Sequence, residues 1–412
     1  MNKKYRLFFI ITLLTQLNIF AQDQSLFFEY QEYYSPGVEG RRDPEQFRIT
    51  FVWDSKSGKS ARYFYDDKKW NKSSVLLPID PLGNSSGENG EIMMDYHEYY
   101  SPGDPGRRAP EQYRIVFVWN SKTGESARYY YDNKAWHKSS VSLPEQPLGA
   151  TSGESGEIMM DYHEYYSPGT PGRRAPEQFR IVYVWNTRTG ESARFYYDNK
   201  AWYKSSVALP DSPLKRPSGE VGEIMMDYHE YYSPGTPGRR SPEQFRIVYV
   251  WNTRTGESAR YYYDNKEWYK SSVALPEKPL KTASEEVGEI MMRYHEYYSP
   301  GTPGRRAPEQ FRIVFVWNTK TGESARYYYD DKKWLDSSSS LPKVHFDDFS
   351  SNTGEILMNY REYYSPGTAG RRAPEQFRIV SVLNSRTGEA IRYYYDNGVW
   401  KKSSASFPNM SF

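Results

Sequence analysis

Apolar and aromatic residues along the chain fall in short runs, and the same four runs recur in the same order throughout. In one copy the runs occupy residues 91–100, 113–119, 127–131 and 136–143. The second run reads Tyr-Arg-Ile-Val-Phe-Val-Trp, and β-branched and aromatic residues in runs of this length predict strands. No segment shows the period or the capping residues of a helix, so we expect an all-β protein.

The segments between these runs contain turn residues that predict antiparallel pairing. Residues 120–124 read Asn-Ser-Lys-Thr-Gly, a short hairpin loop whose glycine is expected to adopt a positive φ. Residues 132–134 form a second tight turn, and the equivalent residues 396–398 read Asp-Asn-Gly, a stronger turn signal. Each unit is therefore predicted to be an antiparallel meander.

A Gly-Arg-Arg motif recurs six times at intervals of 66 residues, from Gly40 to Gly370. The spacing divides the chain after residue 23 into the units 24–89, 90–155, 156–221, 222–287, 288–353 and 354–412. A fixed period of this size indicates a repeat array or a propeller. Because units below about 70 residues are marginally stable alone, we expect neighbouring units to support one another.

Six units of four short antiparallel strands predict the blades of a six-bladed β-propeller. The alternative is a linear array of small β-meander modules, and the lack of an obvious strand exchange between the first and last units counts against a ring. The linkers between units change in sequence but not in length. Constant linker length indicates that the relative position of neighbouring units is constrained. The alternative explanation is that the units were duplicated recently and have not yet acquired insertions.

The N-terminal segment 1–21 predicts a secretory signal peptide. Lys3, Lys4 and Arg6 precede a mostly apolar stretch, and Ala21 is a small residue at a plausible cleavage point. No later stretch is apolar enough to span a bilayer. The chain contains no cysteine, which excludes disulfides and thiolate sites and favours a bacterial exported protein. We expect it to be secreted, periplasmic or on the cell surface.

Charge excludes one class of partner. The chain carries 54 Lys and Arg against 52 Asp and Glu, and removing the three basic residues of segment 1–21 leaves 51 against 52. Such a balance lacks the broad positive field that drives nucleic-acid binding, so we expect no nucleic-acid partner. Recognition of an anion would depend on local arginines.

The Gly-Arg-Arg loop is the strongest candidate binding site. Guanidinium groups bind carboxylate, sulfate or phosphate, and tyrosine faces pack on sugar rings, so the loop predicts an acidic or hydroxyl-rich glycan site. In the alternative, Arg107 or Arg108 pairs with Glu98 or Glu111 and only fixes the loop. The candidate ligand-binding residues are Arg41, Arg42, Arg107, Arg108, Arg173, Arg174, Arg239, Arg240, Arg305, Arg306, Arg371, Arg372, Tyr99 and Tyr100.

Tryptophan provides a second set of candidates. One tryptophan per unit follows the second tight turn and is either a sugar platform or, in the interpretation we favour, a core residue. This set is Trp70, Trp136, Trp202, Trp268, Trp334 and Trp400. The mid-strand tryptophans Trp53, Trp119, Trp185, Trp251 and Trp317 are replaced by Leu383 in the last unit, which indicates core burial.

Histidines predict no metal site. Asp95 and His97 share a strand face, but Gln31 and Arg361 stand in place of the histidine in other units, and Arg293 replaces an aspartate. The chain has no nucleophile elbow, phosphate loop or zinc helix motif. A hydrolase needs one carboxyl group as an acid and another as a base, in two different environments. Near-identical units instead place each recurring carboxylate in six similar environments. We therefore expect no enzyme, cofactor or metal.

These observations predict an exported, non-enzymatic repeat protein that binds a polysaccharide or cell-surface glycan multivalently. Another surface ligand, including a protein partner, is a variant of the same hypothesis. The alternative is an adhesive or structural cell-envelope protein whose loop arginines serve only the fold. Runs such as Tyr129-Tyr130-Tyr131 favour cohesion, and a glycan-active enzyme is the least favoured class.

Overall fold

The computed structural model describes residues 25–35, 45–83, 90–101, 111–144, 147–148, 156–167, 177–207, 209–210, 213–214, 222–233, 243–276, 279–280, 288–299, 309–337, 341–342, 354–365, 375–404 and 407. Within these ranges the chain forms 24 β-strands and no helix. It follows that the described part contains no helix long and apolar enough to cross a membrane.

The strands form six blades of four. Blade 1 contains β1 Leu26–Ser35, β2 Glu45–Asp54, β3 Ser60–Asp66 and β4 Lys69–Lys72. Blade 2 contains β5 Ile92–Ser101, β6 Glu111–Asn120, β7 Ser126–Asp132 and β8 Ala135–Lys138. Blade 3 contains β9 Ile158–Ser167, β10 Glu177–Asn186, β11 Ser192–Asp198 and β12 Ala201–Lys204. Blade 4 contains β13 Ile224–Ser233, β14 Glu243–Asn252, β15 Ser258–Asp264 and β16 Glu267–Lys270. Blade 5 contains β17 Ile290–Ser299, β18 Glu309–Asn318, β19 Ser324–Asp330 and β20 Lys333–Asp336. Blade 6 contains β21 Ile356–Ser365, β22 Glu375–Asn384, β23 Ala390–Asp396 and β24 Val399–Lys402.

Each blade is one antiparallel sheet whose strands lie in chain order. In blade 2 the long first pair runs in register from Ile92 opposite Asn120 to Ser101 opposite Glu111. The four predicted strands per unit are confirmed, but the fourth is shorter than predicted and ends at Lys138. Beyond it the chain leaves the sheet edge, and Leu143 is buried between blades 2 and 3.

The predicted tight turns are present. Between β6 and β7, Gly124 has φ +72°, and the side-chain oxygen of Asn120 accepts hydrogen bonds from the backbone N–H groups of Lys122 and Thr123 at 2.9 Å. A Cβ atom on Gly124 would also lie 3.0 Å from Pro147. Between β7 and β8, residues 133 and 134 have φ values of 47° and 63°, which gives the mirror-image turn that matches strand twist.

The hydrophobic core lies between blades. Ile115, Phe117 and Trp119 of blade 2 pack against Met160 and Tyr162 of blade 3. Phe117 and Tyr162 stack with ring centroids 4.8 Å apart. The mid-strand tryptophans are 3–4% exposed and Leu383 is fully buried, so their predicted core role is confirmed. No blade completes its core alone, which is why the units depend on their neighbours.

The ring closes between blade 6 and blade 1. Leu26 N donates to Ser385 O at 2.9 Å, and the corresponding bond between blades 1 and 2 joins Ile92 N to Ser55 O at 2.6 Å. Arg392 pairs with Glu32 at 2.7 Å across the same closing interface. The protein is a six-bladed β-propeller, and the linear alternative is wrong. The described parts of blades 1 and 6 exchange no strand, because closure uses the same contacts that join every other pair of blades.

The linkers between blades are anchored at fixed points. Leu77 and Leu82, on the linker between blades 1 and 2, are buried in the core between those blades. Tyr129 on β7 donates a hydrogen bond to Pro81 O at 2.6 Å. A linker held at several buried points has little freedom to change length, which supports the geometric interpretation of its constant length.

Candidate functional site

The arginine pairs of the Gly-Arg-Arg loops all lie outside the described residues, so the loop site stays a prediction. The residues concerned fall in the ranges 36–44, 102–110, 168–176, 234–242, 300–308 and 366–374. Tyr99 and Tyr100 belong to β5, where their backbones pair with Tyr113 and Gln112, but their side chains are outside the described set.

Glu98, a predicted partner of the loop arginines, binds two other arginines. Arg62 of the preceding blade donates to both carboxylate oxygens of Glu98, at 2.6 and 2.7 Å, and to the Tyr96 hydroxyl at 2.9 Å. Arg114, opposite Glu98 on the neighbouring strand, lies 3.4 Å from the same carboxylate. Sequence reasoning missed Arg62, although the triplet Ser-Ala-Arg at the start of the third strand recurs in five of the units.

This cluster fastens adjacent blades together. The Arg62 side chain is 7% exposed and the Glu98 side chain is fully buried. Burial and the charge of Glu98 raise the pKa of Tyr96, so its hydroxyl stays protonated and donates to Glu98. A bidentate, buried arginine–carboxylate pair of this kind fixes the relative position of two blades. The alternative that Arg107 or Arg108 pairs with Glu98 or Glu111 lies outside the described residues and stays a prediction.

Outward from this cluster, one face of blades 2, 3 and 4 carries an exposed aromatic pair. In blade 2 the guanidinium carbon of Arg128 lies 5.6 Å from the ring centroid of Tyr130. Tyr130 is 38% exposed and stacks on His137 with centroids 5.5 Å apart. In blade 3 the equivalent pair is Tyr196 on Tyr203, at 5.7 Å.

The side of the next blade that faces this aromatic pair carries a second row of arginine and aromatic side chains. In blade 3, Arg180 lies 3.5 Å from Glu164, and its guanidinium carbon is 4.8 Å from the ring centroid of Tyr197. Tyr197 meets Trp202 edge to face at 5.3 Å. Trp202 is half-buried and packs against the core between blades 2 and 3. The equivalent tryptophans of the other blades are likewise partly buried against the cores between blades.

The two rows face each other because Arg128 of blade 2 binds Glu164 of blade 3 at 2.8 Å. We call the space between them the interblade cleft, and each pair of adjacent blades forms one. The blade 2–3 cleft is lined by Arg128, Tyr130, His137, Arg180, Tyr197 and Trp202. One lining position on the fourth strand varies between blades and is occupied by Asn71, His137, Tyr203, Tyr269, Leu335 and Lys401.

The first strands of all six blades surround a central channel with a volume of about 1000 Å³. An apolar layer consists of Phe27, Met93, Met159, Met225, Met291 and Leu357. The next layer consists of Glu29, Asp95, Asp161, Asp227, Arg293 and Asn359. A third layer consists of Gln31, His97, His163, His229, His295 and Arg361.

Aspartate–histidine pairs line part of this channel. His97 Nε2 lies 3.0 Å from Asp95 Oδ1, which confirms that the two side chains share a face. Burial lowers the pKa of His97, but the charge of Asp95 outweighs it and raises the value to about 9. His295 has Arg293 where the others have aspartate, and burial lowers its pKa to about 4. Among the described residues, no three such groups are arranged to hold a metal ion.

No protein-family model and no curated protein sequence matches this chain. Solved structures share its fold, and two of them are lectin structures. The fucose-specific lectin from Aleuria aurantia, in an Hg-derivative form, is similar with a TM-score of 0.52 and 10% identity, over 94% of this chain and 97% of the lectin. A mutant of the Aleuria aurantia lectin in complex with α-methyl-L-fucoside is similar with a TM-score of 0.52, 11% identity and the same coverage. At such identities the likeness is one of fold.

Proposed function

We propose that this protein is a multivalent carbohydrate-binding protein whose binding sites are the interblade clefts. The observation that carries the proposal is the exposure of aromatic side chains there. Of the eight exposed large apolar side chains among the described residues, five are cleft tyrosines: Tyr130, Tyr196, Tyr203, Tyr262 and Tyr269. Exposed aromatic rings grouped at equivalent positions favour a binding surface.

The chemistry of the cleft suits a sugar. The apolar face of a pyranose packs on a tyrosine ring, while its hydroxyl groups accept hydrogen bonds from Arg180, whose side chain is 19% exposed. Arg128 and Glu164 are too buried to be the main contacts, so they hold the cleft walls at a fixed separation. Several clefts on one ring, each binding a sugar weakly, together bind a polymer more tightly through avidity.

The likeness to a structure named as a fucose-specific lectin supports a saccharide as the class of ligand. An acidic polysaccharide is the ligand we propose if the Gly-Arg-Arg loops contribute, with a cell-surface glycan as the wider class. We further propose that the protein is non-enzymatic and exported, on the basis of segment 1–21 and the absence of a catalytic motif in the sequence.

The test is affinity electrophoresis of the purified protein in gels that contain neutral, uronate-bearing or sulfated polysaccharides. The matched variant is the pair Tyr203→Leu and Tyr269→Leu, because Leu335 occupies this position in blade 5. Removing two stacking platforms should weaken binding about 3- to 10-fold per cleft and leave the melting temperature nearly unchanged. Failure of every polysaccharide to retard the protein, or equal retardation of the variant, would overturn the cleft assignment.

The salt dependence of binding distinguishes between the Gly-Arg-Arg loops and the cleft aromatics as the residues that contact the ligand. Retardation by an acidic polymer that weakens with salt, and is lost when both arginines of each loop become alanine, supports the Gly-Arg-Arg loops. Retardation by a neutral polymer supports the cleft aromatics. If the loop variants lower the melting temperature and change no binding, the adhesive or structural hypothesis gains the support instead.

A further inference from the structure

The central channel is not sixfold symmetric, and its asymmetry is concentrated in blades 5 and 6. The first strands of blades 4 and 5, Ile224–Ser233 and Ile290–Ser299, differ at a single position, where Arg293 replaces Asp227. In blade 6, Arg361 stands where blades 2 to 5 have histidine. Two adjacent blades therefore direct guanidinium groups into the channel.

These guanidinium groups have few partners within the protein. Arg293 makes no hydrogen bond or ion pair within the described part of the chain, and it acts on Asp227 and Glu29 only through longer-range electrostatics. Arg361 donates one hydrogen bond, from Nε to Tyr30 O at 2.6 Å. Its pKa is lowered because the group is buried, and the neighbouring charge of Arg293 lowers it further.

A channel carboxylate that interacts electrostatically with both arginines forms no ion pair either. Glu29 of blade 1, the blade next to blade 6, makes no side-chain hydrogen bond or ion pair with any described residue, and burial with the charge of Asp95 raises its pKa to about 7. Aspartates 95, 161 and 227, in contrast, are each paired with a histidine at 3.0–3.1 Å. Within the described ranges, blades 5, 6 and 1 thus place in the channel three charged side chains that form no ion pair, Glu29, Arg293 and Arg361.

Arg293 changes how blade 5 contacts blade 6. In blades 2 to 4 the aspartate at this position accepts a hydrogen bond from the backbone N–H of a tyrosine in the next blade, as Asp227 does from Tyr294 at 2.9 Å. An arginine has no acceptor to offer, so blade 5 loses this contact with blade 6, and His295 instead hydrogen-bonds Tyr360 O of blade 6 at 3.0 Å. The substitution exchanges one interblade hydrogen bond for another and places a cation in the channel.

We propose that blades 5, 6 and 1 form an anion site for the carboxylate of a small sugar acid, a hexuronate. Arg293 and Arg361 bind the carboxylate, since the planar guanidinium fork matches two carboxylate oxygens. Glu29 and Asn359 accept hydrogen bonds from the ring hydroxyls. Met291 and Leu357, in the apolar layer of the same blades, contact the apolar face of the sugar.

The dimensions fit this ligand class. A channel volume of about 1000 Å³ lies at the upper end of the roughly 300–1,000 Å³ typical of ligand pockets, which leaves room for a monosaccharide or a disaccharide. On the opposite wall, the aspartates of blades 2 to 4 are already paired with histidines of their own blades. The site is separate from the interblade clefts and does not depend on their function.

Isothermal titration calorimetry of the purified full-length protein with D-glucuronate tests the proposal. D-Glucose lacks the carboxylate, cyclohexanecarboxylate lacks the hydroxyls, and inorganic phosphate is a plain anion. We expect glucuronate to bind and each of the other probes to bind at least about 10-fold more weakly, because each lacks one set of contacts.

The matched variant is Arg293→Asp with Arg361→His, which installs the residues that blade 4 carries at both positions. It should weaken glucuronate binding about 100-fold, since two charged hydrogen-bonding partners are lost. Arg293→Asn, which copies Asn359 of blade 6, is a neutral second variant that should also weaken binding. The cleft variant Tyr203→Leu should leave the channel site unchanged.

A second readout reports on the channel without ligand. Arg293→Asp places an aspartate two residues before His295, as in blades 2 to 4, and should raise the pKa of His295 measured by NMR. Once that shift confirms a correctly folded channel, unchanged glucuronate affinity would overturn the proposal. So would an absence of glucuronate binding by the native protein, or equal binding of glucose, cyclohexanecarboxylate or phosphate.

Discussion

The buried ion pair between adjacent blades makes the sharpest stability prediction. Replacing Glu164 by glutamine keeps the size of the side chain and removes its charge. Glu164 holds Arg128 of blade 2 at 2.8 Å and Arg180 of its own blade at 3.5 Å, and it accepts a hydrogen bond from the Tyr162 hydroxyl. The substitution therefore leaves two guanidinium groups without their carboxylate.

The expected cost follows from burial. The Arg128 side chain is 7% exposed and Glu164 is fully buried, so water cannot replace the lost charge. Removing one partner of a buried pair costs about 3–5 kcal/mol of unfolding free energy, and because glutamine still accepts one hydrogen bond we expect about 3 kcal/mol. Arg128→Met together with Glu164→Gln should cost less than the sum of the two single changes, because both remove the same interaction.

Urea unfolding, monitored by tryptophan fluorescence, measures these free energies of unfolding. The companion variant is Glu32→Gln, which removes the same contact with Arg392 at the closing interface. No linker joins blades 6 and 1, so this change should cost at least as much as the change at Glu164. A loss below about 1 kcal/mol for Glu164→Gln, or additive single and double variants, would refute the argument that this pair fixes the blades.

Further predictions concern titration and packing. Because Asp95 raises the pKa of His97 to about 9, the stability it contributes is complete below pH 6.5 and is lost as pH rises through 9; Asp95→Asn should abolish this loss in pH-dependent unfolding and lower the pKa measured by NMR. Partial desolvation and the charges of Glu223 and Glu91 raise the pKa of Glu157 to about 7; because the residue is exposed, Glu157→Gln should raise the melting temperature only slightly at pH 8 and hardly change it at pH 4. Trp202→Ala should cost about 2 kcal/mol in chemical denaturation, below the range for fully buried tryptophans, and an unaltered stability would contradict its packing role.

Local features of the fold were predictable because local residues encode them. The strand runs, the turn at Gly124 and the buried mid-strand tryptophans each depend on residues within about ten positions, and all three predictions agree with the structure. The fourth strand was overestimated because Leu143 looks like a strand residue by composition, although the next blade buries it.

The arginine partners of Glu98 could not be predicted from the sequence. Six near-identical units present the same arginines at every repeat, so the sequence offers several equivalent partners. The choice of Arg62 depends on the angle between two blades, and composition does not encode that angle. The same holds for the channel, where the asymmetry at Arg293 is visible in the sequence but its approach to Arg361 and Glu29 is not.

The sequence by itself determined the repeat, the all-β class and the composition of each blade. Only the tertiary structure decided that the array closes, because closure joins Arg392 to Glu32 across 360 positions of the chain. Local alternation of apolar and polar residues sets which face of a strand is buried, but the number of blades in a ring depends on the angle accumulated over six interfaces. Clefts between blades and a channel on the axis exist only once that angle brings the first and last blades together.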